Sequence, residues 1–109
     1  MNKFDLLSNA LKIVEERGQD YGEVLANHKR IAEIWSIILE TTVKPEQVAL
    51  CMAGTKIARL IQTSDHYDSW LDLAGYAAVG SECVKQSAHA STQDSQRPHP
   101  HPQSTEQSQ

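Results

Sequence analysis

Lys56 and Arg59 stand three residues apart in the segment PEQVALCMAGTKIARLIQ, most of whose other members are apolar. At about 100° per residue on a helix they share a side with Val48, Met52 and Leu60, so two cations enter an apolar stripe. A long cationic side chain can pack its stem and carry its head to water. Two of them on one face ask for more, because an unpaired buried charge is costly and is normally paired or coordinated. Downstream, Asp68 and Asp72 are four apart and share a helix face with Gly75 and Val79. Like charges at that spacing repel by about a few tenths of a kcal/mol unless something positive sits between them. A divalent metal, the Lys56/Arg59 pair, and plain solvent each satisfy that requirement. A metal held by oxygen alone would be Mg²⁺ or Mn²⁺ rather than Zn²⁺.

A second group, Arg17, Tyr21, Asn27, His28 and Arg30, falls around the connection between the first two helices. Guanidinium groups grip phosphate in a fork, and a tyrosine ring stacks on a base, so this set suits a phosphorylated ring. An ordinary capped helix start with surface charges has the same composition. His28 reads as a polar surface residue without a catalytic role. Cys51 and Cys83 have no neighbouring pattern that would activate a thiol, form no C-x-x-C pair, and read as reduced core or near-core residues.

Four helices must position these groups. Phe4, Leu7, Leu11 and Val14 recur at helical spacing, and Gly18 follows as a C-terminal cap, which predicts a helix over roughly residues 3 to 17. Asp20 and Glu23 form a capping-box pair ahead of Val24, Leu25, Ile31, Trp35, Ile38 and Leu39, which predicts a second helix from about 22 to 40. Pro45 suits the first position of a third helix, ending near Gln62. That helix is apolar nearly all round and is expected to be the central one. Trp70 through Val84 carry the fourth, to about Lys85, and each Trp indole N–H should find an acceptor. Gly54, Gly75 and Gly80 lie inside helices, where glycine costs roughly 1 kcal/mol against alanine, and imply close approach of another helix or a ligand. No strand pattern and no glycine-rich phosphate loop occurs.

The chain has 109 residues, 39% of them hydrophobic, and reads as one all-α domain over residues 1–86. From Ser87 to Gln109 there is no Val, Ile, Leu, Met or aromatic residue, so that tail cannot offset its ordering entropy and is expected to be disordered. His99 and His101 in it read as solvated. A foldable part of about 85 residues has a small core, and homo-oligomerisation is the expected supplement. The formal charge of −4 argues against general attraction to a nucleic-acid duplex, so any phosphate site must be local. No apolar run is long enough for a bilayer, and the N-terminus has no secretory pattern; a cytoplasmic protein is expected.

The landmarks Arg17-Gly18, Tyr21-Gly22, Arg30-Ile31-Ala32 with Trp35, Lys56-Ile57-Ala58-Arg59-Leu60, and Asp68-Ser69-Trp70 with Asp72 and Ala74-Gly75-Tyr76-Ala77 resemble a family of small phage and prophage proteins of uncharacterised function. The resemblance covers roughly residues 5 to 82. The helical layout is also similar to the all-α nucleoside triphosphate pyrophosphohydrolases of the MazG type. Those enzymes hold Mg²⁺ with a Glu-Glu-x-x-Glu set on one helix and a Glu-x-x-Asp set on the next, and the metal activates water against a phosphoanhydride. Here Lys56-Ile57-Ala58-Arg59 stands where carboxylates would be, and only Asp72 matches cleanly, with Ser69 three before it.

The resemblance, with cations exchanged for carboxylates, implies a compact MazG-like bundle that binds a phosphorylated nucleotide without cleaving it. A phage protein of that kind would sequester a cyclic or ADP-ribose-type signal of host defence. The expected ligand residues are Arg17, Tyr21, Asn27, Arg30, Lys56, Arg59, Asp68 and Asp72, with no metal and no catalytic residue. Two alternatives remain: a divergent Mg²⁺-dependent pyrophosphohydrolase, and a module that docks on a host protein.

Overall fold

A computed structural model describes residues 2–17 and 21–95, with the side chains of 17, 21–23 and 86–95 outside the description. It has four helices and, among the described residues, no strand: α1 (Lys3–Arg17), α2 (Tyr21–Leu39), α3 (Pro45–Gln62) and α4 (Tyr67–Ser95). The expected all-α bundle is therefore present. Helix α4 runs ten residues past its expected end at Lys85, while residues 96–109 and the capping pair's Asp20 lie outside the described residues.

Local chemistry explains the boundaries. At the start of α1 the Asp5 amide donates to Asn2 Oδ1 at 2.8 Å, satisfying one of the N–H groups that have no partner in the first turn. Helix α2 ends where Glu40 adopts a positive φ of 54° and the Thr41 amide turns back to the Ser36 carbonyl. Ser36 then ties the connection down: its Oγ accepts from the Val43 amide at 2.8 Å and donates to the Ala32 carbonyl at 2.7 Å. Pro45 opens α3, preceded by Lys44, whose amide donates to Gln47 Oε1 at 2.8 Å. At the start of α4, buried Ser69 shares a 2.7 Å hydrogen bond with His66 Nδ1, and the Trp70 indole donates to the Ser64 carbonyl at 2.9 Å.

The bundle is centred on the α3–α4 pair: α3 supplies Val48, Ala49, Ala53 and Leu60 to the buried core, as its apolar pattern implies, and α4 shares the central place. Helix α4 packs along α3, takes α1 on another side and touches α2, whereas α3 packs on α4 and α2. The outer side of α3 stays in solvent: Leu50, Ile57 and Ile61 are exposed. The apolar pattern of α3 is therefore satisfied on its inner side, and it overstates burial only on the outer one. Where α3 and α4 cross, they come close. A Cβ built on Gly80 would stand 3.2 Å from Ala49 Cβ, so Gly80 answers the expectation of a tight helix contact. Gly54 and Gly75 do not, since a Cβ on either meets nothing within 4 Å. Asn9 Nδ2 donates to Tyr67 Oη at 2.8 Å and fixes α1 against the start of α4. Cys83 is buried beside this core, but Cys51 is exposed, contrary to its reading as a near-core residue.

Candidate functional site

Helices α1, α2 and α4 do not close on one another. Between them lies a cleft of about 510 Å³, within the range of small-molecule sites. Its walls are Ile13 and Val14 from α1, Val24 and Leu25 from α2, and Leu71 and Val79 from α4. The cleft exists because small residues meet there: Ala10, Gly75 and Ala78 leave the space unfilled, and Gly75 has open space where a side chain would be.

Polar groups enter this apolar space at a few points. Asp72 and Glu82 line it from α4, with Tyr76 between them, and His28 lines it from α2. His28 is half-buried, and its Nδ1 lies 3.0 Å from the Val24 carbonyl oxygen. A carbonyl only accepts, so Nδ1 carries the proton of that bond, and in the neutral ring Nε2 is left as the acceptor for anything else. Asp72 Oδ2 is 3.0 Å from Lys56 Nζ, an ion pair whose side chains are 29% exposed on the lysine and 41% on the aspartate.

The eight expected ligand residues are thus only partly brought together. Lys56 and Asp72 meet, and Asp72 borders the cleft. Arg59 and Asp68 are exposed and stand outside it, so the basic pair is not a matched cluster within a buried stripe. Arg59 lies in the last turn of α3 and Asp68 in the first turn of α4, positions where each charge is favoured by the helix dipole. Asn27 and Arg30 are exposed and bonded to each other, Arg30 Nη1 donating to Asn27 Oδ1 at 3.3 Å. Arg17 closes α1 and Tyr21 opens α2, and their side chains lie outside the described residues. The connection they flank joins cleft-lining residues on both sides, Ile13 and Val14 before it and Val24 and Leu25 after it.

Sequence reasoning grouped His28 with Arg17 and Tyr21 but read it as a polar surface residue, whereas it is half-buried on the cleft wall, and it missed Tyr76 and Glu82. A signal for Glu82 was available: Asp72, Gly75, Val79 and Glu82 continue the 3–4 spacing that had stopped at Val79. Among the described residues no three His, Cys, Asp or Glu side chains gather as a metal-binding group. No described helix is long and apolar enough to cross a membrane.

The described residues thus form a four-helix all-α bundle with a half-open, ligand-sized cleft and a lysine-paired aspartate on its wall. Residues 5–84 match a family described as a domain of unknown function, DUF6378, and the chain belongs to that family. It is 42% identical over 78 residues to the Gene 55 protein of Mycobacterium phage L5, an alignment covering 68% of this chain and 49% of the relative. The Gene 55 protein of Mycobacterium phage D29 is 40% identical over 73 residues, covering 66% of this chain and 48% of the relative. The chain therefore spans about half the length of the curated relatives it matches. No solved structure matches it. The expected membership of an uncharacterised phage protein family is met.

Proposed function

We propose that this phage-family protein binds a phosphorylated nucleotide in the cleft between α1, α2 and α4 and holds it without cleaving it. The observation that carries the proposal is the 510 Å³ cleft itself, apolar along its walls and edged by His28, Asp72 and Glu82. An apolar slot takes a base between its walls, and carboxylates and an imidazole meet the donors and acceptors on the base edge. The phosphates then extend toward the α1–α2 connection, where Arg17 and Tyr21 sit in the sequence, in keeping with the fork grip of a guanidinium. A signal nucleotide of host defence, cyclic or of ADP-ribose type, is the substrate class that suits a phage protein that stores rather than turns over its ligand.

The likeness to MazG-type pyrophosphohydrolases belongs to this reading and supplies its competitor. In that chemistry Asp72 and Asp68 would hold Mg²⁺. Asp72 instead engages Lys56, and Asp68 lies outside the cleft, an arrangement that favours retention over hydrolysis. Isothermal titration against cyclic di- and trinucleotides, ADP-ribose derivatives and nucleoside triphosphates tests the proposal. Binding is expected, with the ligand recovered chemically intact. No binding by any of them removes it, and Mg²⁺-dependent release of phosphate or pyrophosphate that disappears in Asp72→Ala replaces it with the hydrolase.

A further inference from the structure

The outer face of α3 carries a stripe that the monomer leaves uncovered. Leu50, Gly54, Ile57 and Ile61 follow one another at spacings of four, three and four, and on a helical wheel they fall within one narrow sector. Leu50 is 68% exposed, Ile57 48% and Ile61 82%. Beside the stripe, between α3 and α4, runs an apolar groove of about 610 Å³ walled by Leu50, Ile57, Trp70 and Val84. At the α3 N-terminal end of the groove, Glu46 Oε1 is buried without a hydrogen-bond partner.

We infer that a second copy of this chain covers the stripe, with the two α3 helices crossing antiparallel about a two-fold axis near Gly54. The spacing is the one that packs a helix against another along a shallow crossing. Gly54 lies inside the stripe with nothing within 4 Å of a built Cβ, which leaves room for the partner's backbone to come close. The stripe is self-complementary under a two-fold: Leu50 of one copy faces the Ile57–Ile61 end of the other, and no charged side chain interrupts it. Residues 87–109 are ill-suited to cover it, because none of them is a large apolar residue. The occupant must also be permanent. Among the described residues the buried apolar set is Ala10, Ala32, Val48, Ala49, Ala53, Leu60 and Cys83, a core of mostly small side chains. A fold so thin needs its partner whenever it is folded, and a second copy is the one partner present wherever the chain is made. This inference stands apart from the ligand proposal.

Sedimentation equilibrium at micromolar concentration tests it. The wild-type chain is expected at the mass of two 12.1 kDa copies, with a melting temperature that rises with protein concentration. Leu50→Glu with Ile61→Glu, both at exposed positions, is expected to weaken association at least 100-fold, and Ile37→Glu on the exposed face of α2 to leave it intact. Should the double variant fail to fold, the concentration dependence of the wild-type melt and the Ile37→Glu control still decide. A wild-type monomer whose melt ignores concentration overturns the inference, as does a dimer that survives the double substitution or one that Ile37→Glu dissociates.

Discussion

Gly75→Ala separates a cleft kept open for a ligand from one that is merely a packing defect. Gly75 lies inside α4, borders the cleft, and has no atom within 4 Å of the Cβ it lacks. Nothing needs to move to accept a methyl group there. The gain is then the helix-propensity difference between glycine and alanine in a helix interior, about 0.8 to 1 kcal/mol. In a domain of this size about 1 kcal/mol corresponds to a rise of about 4 to 8 °C in Tm, readable by far-UV circular dichroism. Gly75→Leu keeps a good helix former but sends three further carbons into the cleft, and should abolish the ligand binding proposed above. A drop in Tm for Gly75→Ala would show that the cleft is closed in solution and refute the reasoning. Full binding by a folded Gly75→Leu would place the ligand elsewhere.

Three further outcomes follow from the geometry. Lys56→Met should cost less than about 1 kcal/mol in chemical denaturation, because its 3.0 Å pair with Asp72 is partly exposed rather than sealed in the core; a loss of several kcal/mol would mean a buried network instead. Ser36→Ala removes the acceptor of the Val43 amide and should cost about 1 to 2 kcal/mol, seen as a lower denaturation midpoint; no loss would show that water replaces the hydroxyl freely. Burial, reinforced by Glu46 and Glu82, pushes the Cys83 thiol above its usual value of 9.0, so the folded state holds its proton longer than the unfolded state. Stability from this group is complete below pH 9.0 and is lost as the pH rises past it. The alkaline fall in Tm should therefore be shallower in Cys83→Ala, and equal falls would rule the thiol out as its source.

The sequence made the helices legible because each has its own period and its own terminal chemistry. Pro45 and the 3.6-residue pattern place α3 at its observed bounds, and Phe4 to Val14 place α1. The end of α4 was not legible, since Ser, Ala, Gln and His continue the helix to Ser95 without an apolar stripe to announce it. The site was half legible for a related reason. Asp72 and Gly75 stand out as a charge and a glycine in a helix that favours neither, and both border the cleft. His28 does not stand out, because a histidine on a helix is unremarkable until a second and third helix arrive beside it. Arg59 misled for the opposite reason: the wheel gives a direction around α3, but the length of the arginine side chain lets its head leave the apolar stripe for solvent.

The small residues that make the core thin also make the cleft, and the two consequences can be told apart by linkage. Ala10 of α1 is buried and borders the same space as Gly75 and Ala78, so filling that space from outside adds contacts that the chain does not make for itself. A ligand that binds only the folded state stabilises it by an amount set by its own concentration, about 2.7 kcal/mol at a hundredfold excess over Kd. Self-association through the α3 stripe stabilises by an amount set by protein concentration instead. Melting curves collected over a grid of the two concentrations should therefore show two independent slopes, with Gly75→Leu removing the first and Leu50→Glu with Ile61→Glu removing the second. If either variant removed both, the cleft and the stripe would be one coupled site, and the separation drawn between them in the monomer would be wrong.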